Sequence, residues 1–126
     1  MKILNKVETW DSKVNFVDEN NVVLGYDTHQ DCCEVAGWFL SDSILKEDDG
    51  YTDTIDKEID LPNWVFDTSF HQYVKHYDLD DGKMVVFRLI NGEQEKFLHL
   101  YNSHNGYYAH GFEFVHDGKT ILEADL

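Results

Sequence analysis

A chain of 126 residues that is 42% hydrophobic and 14% aromatic has enough apolar material to bury a core without metal or disulfide staples, which excludes a globally disordered polymer. Its formal charge of −15, from 25 Asp and Glu against 10 Lys and Arg, disfavours direct contact with nucleic acid or with anionic membrane surfaces. No apolar run approaches the ~20 residues of a membrane-spanning helix, and Met1-Lys2-Ile3-Leu4-Asn5-Lys6 lacks the apolar stretch of a secretory leader. The expectation is one domain over residues 1–126, kept in the cytoplasm.

Along the chain, residues 13–26 read as a hairpin. Val14 and Phe16 alternate with polar neighbours, Asn20-Asn21 occupies the turn, and Val22-Val23-Leu24 follows. Residues 34–40 are apolar and short, and Gly37 argues against a helix, so a third strand is expected there. From 41 to 62 the character changes. Glu47, Asp48, Asp49, Asp53, Asp56, Glu58 and Asp60 crowd a stretch with few apolar residues, which reads as an acidic insertion. It is not a calcium loop: counting back from Gly50 puts Leu45 where the first carboxylate belongs, and the same test at Gly82 meets Tyr77. Trp64-Val65-Phe66 restarts the core, and the residues after it fit either a short helix capped by Asp67, Thr68 or Ser69 or a continued strand.

The last third carries four strand-length runs, 83–89, 95–102, 107–115 and 119–125. They are separated by Asn91-Gly92, Asn105-Gly106 and Asp117-Gly118, residue pairs that tolerate positive φ. In the second run Phe97, His99 and Tyr101 share one face, and Lys96, Leu98, Leu100 and Asn102 the other. Both faces carry large apolar groups, so both require cover. The fold class expected is mainly β, an antiparallel meander forming a curled sheet, a sandwich or a partly closed barrel, with at most one or two short helices.

Two segments concentrate chemistry. His29-Gln30-Asp31-Cys32-Cys33-Glu34 compresses an imidazole, two thiols and two carboxylates into six positions; Asn102, Ser103, His104, Asn105, Gly106, Tyr107, Tyr108, Ala109 and His110 set two histidines around a glycine turn and paired tyrosines. Both hold groups that bind metals or move protons at neutral pH. His29 and Cys32 have the spacing of two zinc ligands, which His104 or His110 would complete if the loops converge. Against this, no second Cys-x-x-Cys or His-x-x-x-His is present, and consecutive cysteines on an extended chain point to opposite faces, so no cofactor is assigned. Adjacent cysteines also seldom meet disulfide geometry, with its usual Cα separation of about 5.5 Å, so Cys32 and Cys33 are expected as free thiols. Catalysis by either thiol with His29, His104 or His110 as base is chemically available, but sequence supplies no geometry for it. His71, His76 and His116 lie in polar surroundings and receive no role, and His99 reads as a packed sheet residue.

The run Gln30-Asp31-Cys32-Cys33-Glu34 and the later Asn105-Gly106-Tyr107-Tyr108 resemble the signature of an uncharacterised family of bacteria and phages, a domain of unknown function. The likeness spans roughly residues 14–114, and residues 47–60 look like an elaboration on it. Where the family has Ser-Asn-Gly-Tyr-Tyr-Ser, this chain inserts His104 and carries Ala109. The resemblance implies a small β-rich domain and no reaction. The functional expectation is a non-enzymatic binding or accessory protein with a composite site built from both segments. A metal- or cysteine-dependent enzyme is one alternative; the other is an acidic nucleic-acid mimic that captures a basic protein.

Overall fold

The computed structural model describes residues 1–6, 12–29, 35–46, 59–76, 79, 82–103 and 109–126. Among them are ten strands: β1 (Lys2–Lys6), β2 (Lys13–Val17), β3 (Val22–Asp27), β4 (Val35–Ser41), β5 (Ile59–Asp60), β6 (Val65–Val74), β7 (Lys83–Asn91), β8 (Gln94–Ser103), β9 (Gly111–His116) and β10 (Lys119–Asp125). They form a six-stranded sheet, β10-β9-β3-β2-β1-β5, and a four-stranded sheet, β4-β8-β7-β6. Every strand pairing is antiparallel. The two sheets do not close into a barrel; of the expected arrangements the sandwich is the one formed.

Period-two alternation explains the stacking. On β2, Val14 and Phe16 are fully buried while their neighbours are half-exposed, and on β9 Phe112 and Phe114 point inward. The facing side of the smaller sheet supplies Trp38, Phe66, Phe87, Leu98 and Leu100, which join these residues in one core cluster. Rings meet edge to face across the gap: Phe16 with Trp38 at 5.2 Å and 88°, and Phe66 with Phe114 at 5.1 Å and 73°. Such pairs contribute about 1 kcal/mol each beyond the area they bury. Tyr26 adds a polar link through the core, its hydroxyl donating to the Tyr101 carbonyl at 2.7 Å.

The outer face of the smaller sheet is covered as well. Met84 on β7 and Tyr101 on β8 form a second apolar cluster with Leu45 and Leu79, against which Phe39 and Val74 pack. This is why residues 97–102 of β8 are buried on both faces, as its sequence requires.

The 13–26 hairpin, the strand expected at 34–40, which runs 35–41, and the strands expected at 83–89, 95–102 and 119–125 lie where the sequence puts them, with Asn21, Asp117, Gly92 and Gly118 at positive φ. The stretch left open after Phe66 is strand to Val74. It pairs with β7 around an irregularity between Phe66 and His71, where Asp67 accepts the Ser69 amide and hydroxyl and an Arg88 N–H. The Ser69 hydroxyl, then the Ser69 amide and Arg88, hold the Asp67 carboxyl below its usual range.

Three features differ from expectation. Residues 2–6 form β1, whose mixed Lys-Ile-Leu-Asn-Lys pattern is too short to read as a strand alone. The expected C-terminal meander is divided: β7 and β8 form a hairpin in one sheet and β9 and β10 a hairpin in the other. The strand expected at 107–115 begins at Gly111, so the chain between β8 and β9 crosses between sheets and is no tight hairpin turn. Residues 47–58 of the acidic insertion lie outside the described residues. Its described flanks add β5 to the edge of the larger sheet and lay residues 42–46 along the smaller one.

At the opposite end from that crossing, Asp18 leaves β2 buried. Its Oδ1 accepts the Asn20 and Val22 amides at 3.0 and 2.9 Å, and its Oδ2 accepts the Phe66 amide at 2.9 Å. One carboxylate thus satisfies a turn in one sheet and the start of β6 in the other. Replacing Asp18 with Ala strands three donors, two of them in buried contacts, and is expected to cost about 3 kcal/mol in urea denaturation. A loss below about 1 kcal/mol would show that water replaces the carboxylate.

Candidate functional site

Strand direction decides where the two chemistry-rich segments sit. The first connects Asp27 at the end of β3 to Val35 at the start of β4; the second connects Ser103 at the end of β8 to Gly111 at the start of β9. β3 pairs with β9 and β4 pairs with β8. Tyr26 therefore lies opposite Phe112 in one sheet, and Val35 opposite Ser103 in the other. Both segments are inter-sheet crossings, and their four flanking strand ends are neighbours at one end of the sandwich.

Three of the expected site residues are described, and two of them are tied into this end. His110 is buried, and its Nδ1 sits 2.9 Å from the Asp27 carbonyl. A carbonyl only accepts, so Nδ1 carries the proton of this bond. His110 also exchanges two backbone hydrogen bonds with Leu126, at 2.9 and 2.8 Å. Asn102, fully buried, donates from Nδ2 to the same Leu126 oxygen at 3.0 Å. The second segment is thus anchored at both ends to one main-chain group, and His110 joins it to the first. His29 behaves differently: its amide closes a turn on Asp27 Oδ1 at 2.9 Å, and the residue lines a cavity on the outer face of the larger sheet.

That cavity has a volume of about 400 Å³. Its floor includes Gly25 and Gly111, and its walls carry Lys13, Asp27, His29, Glu113, Glu123 and Asp125. Register explains the shape, because Gly25 pairs with Glu113, Glu113 with Glu123, and Gly111 with Asp125. Two positions without side chains sit among carboxylates. Gly25 also admits Lys13: a β-carbon there would lie 2.9 Å from Lys13 Cε. The Lys13 ammonium reaches Glu113 at 3.3 Å, an exposed pair of small energetic weight. Four carboxylates against one ammonium and one imidazole leave the cavity acidic.

Gln30, Asp31, Cys32, Cys33, Glu34, His104, Asn105, Gly106, Tyr107 and Tyr108 lie outside the described residues, as do the free-thiol expectation and two of the four suggested zinc ligands. Among the described residues, no group of three or more His, Cys, Asp and Glu side chains is placed to hold a metal. No helix among them is long and apolar enough to cross a membrane. His99 is a packed sheet residue, as its pattern indicated. Sequence reasoning missed Asp18 and the cavity acids Glu113, Glu123 and Asp125. Asp18 opens an Asp-Glu-Asn-Asn turn, a visible signal, whereas the cavity depends on register between strands about 100 residues apart, such as Gly25 with Glu113.

A family model described as a domain of unknown function, DUF7448, matches residues 1–114. No curated protein and no solved structure matches the chain.

The hydroxyl of Tyr26 holds the two sheets together just inside this end. Tyr26→Phe leaves the buried Tyr101 carbonyl without that donor and is expected to lower stability by about 1.5 kcal/mol. An unchanged thermal midpoint would show the bond to be dispensable.

Proposed function

We propose, starting from the fact that the chain belongs to the DUF7448 family, that it is a non-enzymatic binding or accessory module whose contact surface is the end of the sandwich carrying both crossings. The observation that carries this reading is the adjacency of the four strand ends, with Val35 opposite Ser103 and the His110 ring on the Asp27 carbonyl. In this reading Asp31 and Glu34 meet the turn of Asn105, Gly106, Tyr107 and Tyr108, because polar groups crowded together need partners to offset desolvation. The acidic cavity beside His29 extends the same surface. The partner is a basic protein segment, whose Lys or Arg side chains complement Asp27, Glu123 and Asp125. A bacterial or phage origin follows the family resemblance, and the free thiols expected at Cys32 and Cys33 fit a cytoplasmic setting.

The rival reading is a metal- or cysteine-dependent enzyme using His29, Cys32, His104 and His110. Stoichiometric zinc in the purified protein would favour it. Of that set His110 is buried with its Nδ1 proton on the Asp27 carbonyl, an arrangement that metal-bound and purely structural histidines share, so the zinc measurement decides between the readings.

Two measurements test the proposal. Double-mutant cycles pairing Asp31→Ala with Tyr107→Phe or Tyr108→Phe are expected to give a coupling above about 0.5 kcal/mol in at least one cycle. Two additive cycles would remove the composite site. Calorimetric titration with a lysine-rich peptide is expected to weaken with salt, and about fivefold in the Glu123→Gln/Asp125→Asn double variant. The control Glu93→Gln/Glu95→Gln, near the far turn at Gly92, is expected to lose less than about twofold. Equal losses in the two variants would mean that only net charge attracts the peptide.

A further inference from the structure

The outer face of the four-stranded sheet, away from the proposed contact surface, holds a different device. His99 projects from β8 onto that face and is fully buried. Its ring stacks on Phe39 of β4 at 4.3 Å and 11°, and Val86 of β7 lies beside it in register. Nδ1 is 3.2 Å from the Phe97 carbonyl, and Nε2 receives the Leu45 amide at 3.0 Å. A carbonyl can only accept and an amide N–H can only donate. The ring therefore has to carry its proton on Nδ1 and present a lone pair at Nε2. Only the neutral imidazole satisfies both bonds at once.

The Leu45 amide belongs to residues 42–46, which lie along this face after β4. The Leu45 side chain packs with Leu79, Met84 and Tyr101, and Asp42 makes an exposed ion pair at 3.1 Å with Lys96, a residue of the other face of β8. Beside this small cluster opens a cavity of about 560 Å³ whose walls include Val74, Leu79 and Met84.

We propose that residues 42–46 are an acid-released strap: protonation of His99 at Nε2 sets two donors against each other, frees the Leu45 amide and uncovers the apolar cluster of Tyr101, Met84 and Leu79.

Burial acts in the direction this requires. It pushes the His99 imidazole down from an ordinary 6.5 to about 4, against the smaller opposing pull of the Phe97 and Phe39 carbonyls. No charged side chain contributes to that shift; the other buried imidazole beside this cluster is His76, which the sequence placed in polar surroundings and whose carbonyl accepts the Leu79 amide. β4 offers Phe39, β7 offers Val86, and β8 offers a carbonyl with Tyr101 nearby. Asp42 and Lys96 pair with each other, Arg88 pairs with Asp67 and Glu95, and Lys46 is exposed. The sign follows. A group whose value is lower when packed than when released favours the packed state fully above 6.5, and that preference is lost as pH falls from 6.5 towards 4. Over that interval the strapped state loses on the order of 100-fold relative to the released one.

The test is amide hydrogen exchange by NMR on the full chain, corrected for intrinsic rates, with Nile red fluorescence as a neutral probe of exposed apolar surface. From pH 7 to about pH 4, Leu45 is expected to lose about tenfold or more in protection and Nile red to brighten, while Leu24 and Phe87 in the central core stay protected. In His99→Gln both responses are expected to be flat. Two results would overturn the strap: Leu45 staying protected at pH 4, or losing protection together with Leu24 and Phe87, which is global unfolding. If the Gln variant does not fold, the comparison of Leu45 with Leu24 and Phe87 in the unaltered protein still decides.

Discussion

Apolar side chains on one side of a sheet leave water only when another layer covers them, and in this protein that constraint organises everything else. The inward rows of β2, β3 and β9 meet those of β4, β6, β7 and β8 in one cluster of aromatic and aliphatic groups. Once Phe16 lies on Trp38 and Phe66 on Phe114, the relative position of the sheets is set. Asp18 at one end and Tyr26 near the other are then placed to span them with hydrogen bonds that stacking alone would not supply. The polar links follow from the packing, because a carboxylate or hydroxyl is buried at acceptable cost only where its partners are already in position.

The same constraint places the segments with unusual chemistry. A sandwich needs connections that change layer, and such connections lie at its ends. Those from β3 to β4 and from β8 to β9 leave and re-enter on paired strands, so their described ends are neighbours. Binding residues collect on connections held by a rigid scaffold, and here the scaffold at both crossings is strand backbone pinned by His110, Asn102 and the Leu126 main chain. Membership in the family assigns no reaction, so the proposed recognition role rests on where these connections leave and re-enter the sheets.

The two sheets differ in how their outer faces are finished. The larger one presents the charged groups that line its cavity, with Gly25 and Gly111 beneath them. The smaller one carries Phe39, Met84, Tyr101 and His99, which need cover, and residues 42–46 contribute to it. Cover held through the lone pair of a neutral imidazole depends on that imidazole remaining neutral. The acid response proposed for His99 therefore belongs to that face.

Local pattern was sufficient for several elements. Alternation at Val14 and Phe16, the Asn20-Asn21 turn, and the Asn91-Gly92 and Asp117-Gly118 turns specify hairpins because side-chain period and positive φ are properties of a few consecutive residues. The two-faced β8 likewise announced a sheet covered on both sides, and His99 a packed residue. What the sequence could not decide was partnership at a distance. Residues 2–6 become a strand by pairing with β2 on one side and β5 on the other. The expected four-strand meander divides between layers because a glycine turn and a crossing loop look alike until the faces they join have packed. His29 and His110 looked equivalent in sequence, yet one lines an exterior cavity and the other is buried on a carbonyl. Composition and period determined that this chain forms antiparallel β-structure around an aromatic core. Which strand ends meet, and so which side chains share a surface, was decided only by tertiary packing, since it depends on contacts between residues up to about 100 positions apart, whose energy no local stretch contains.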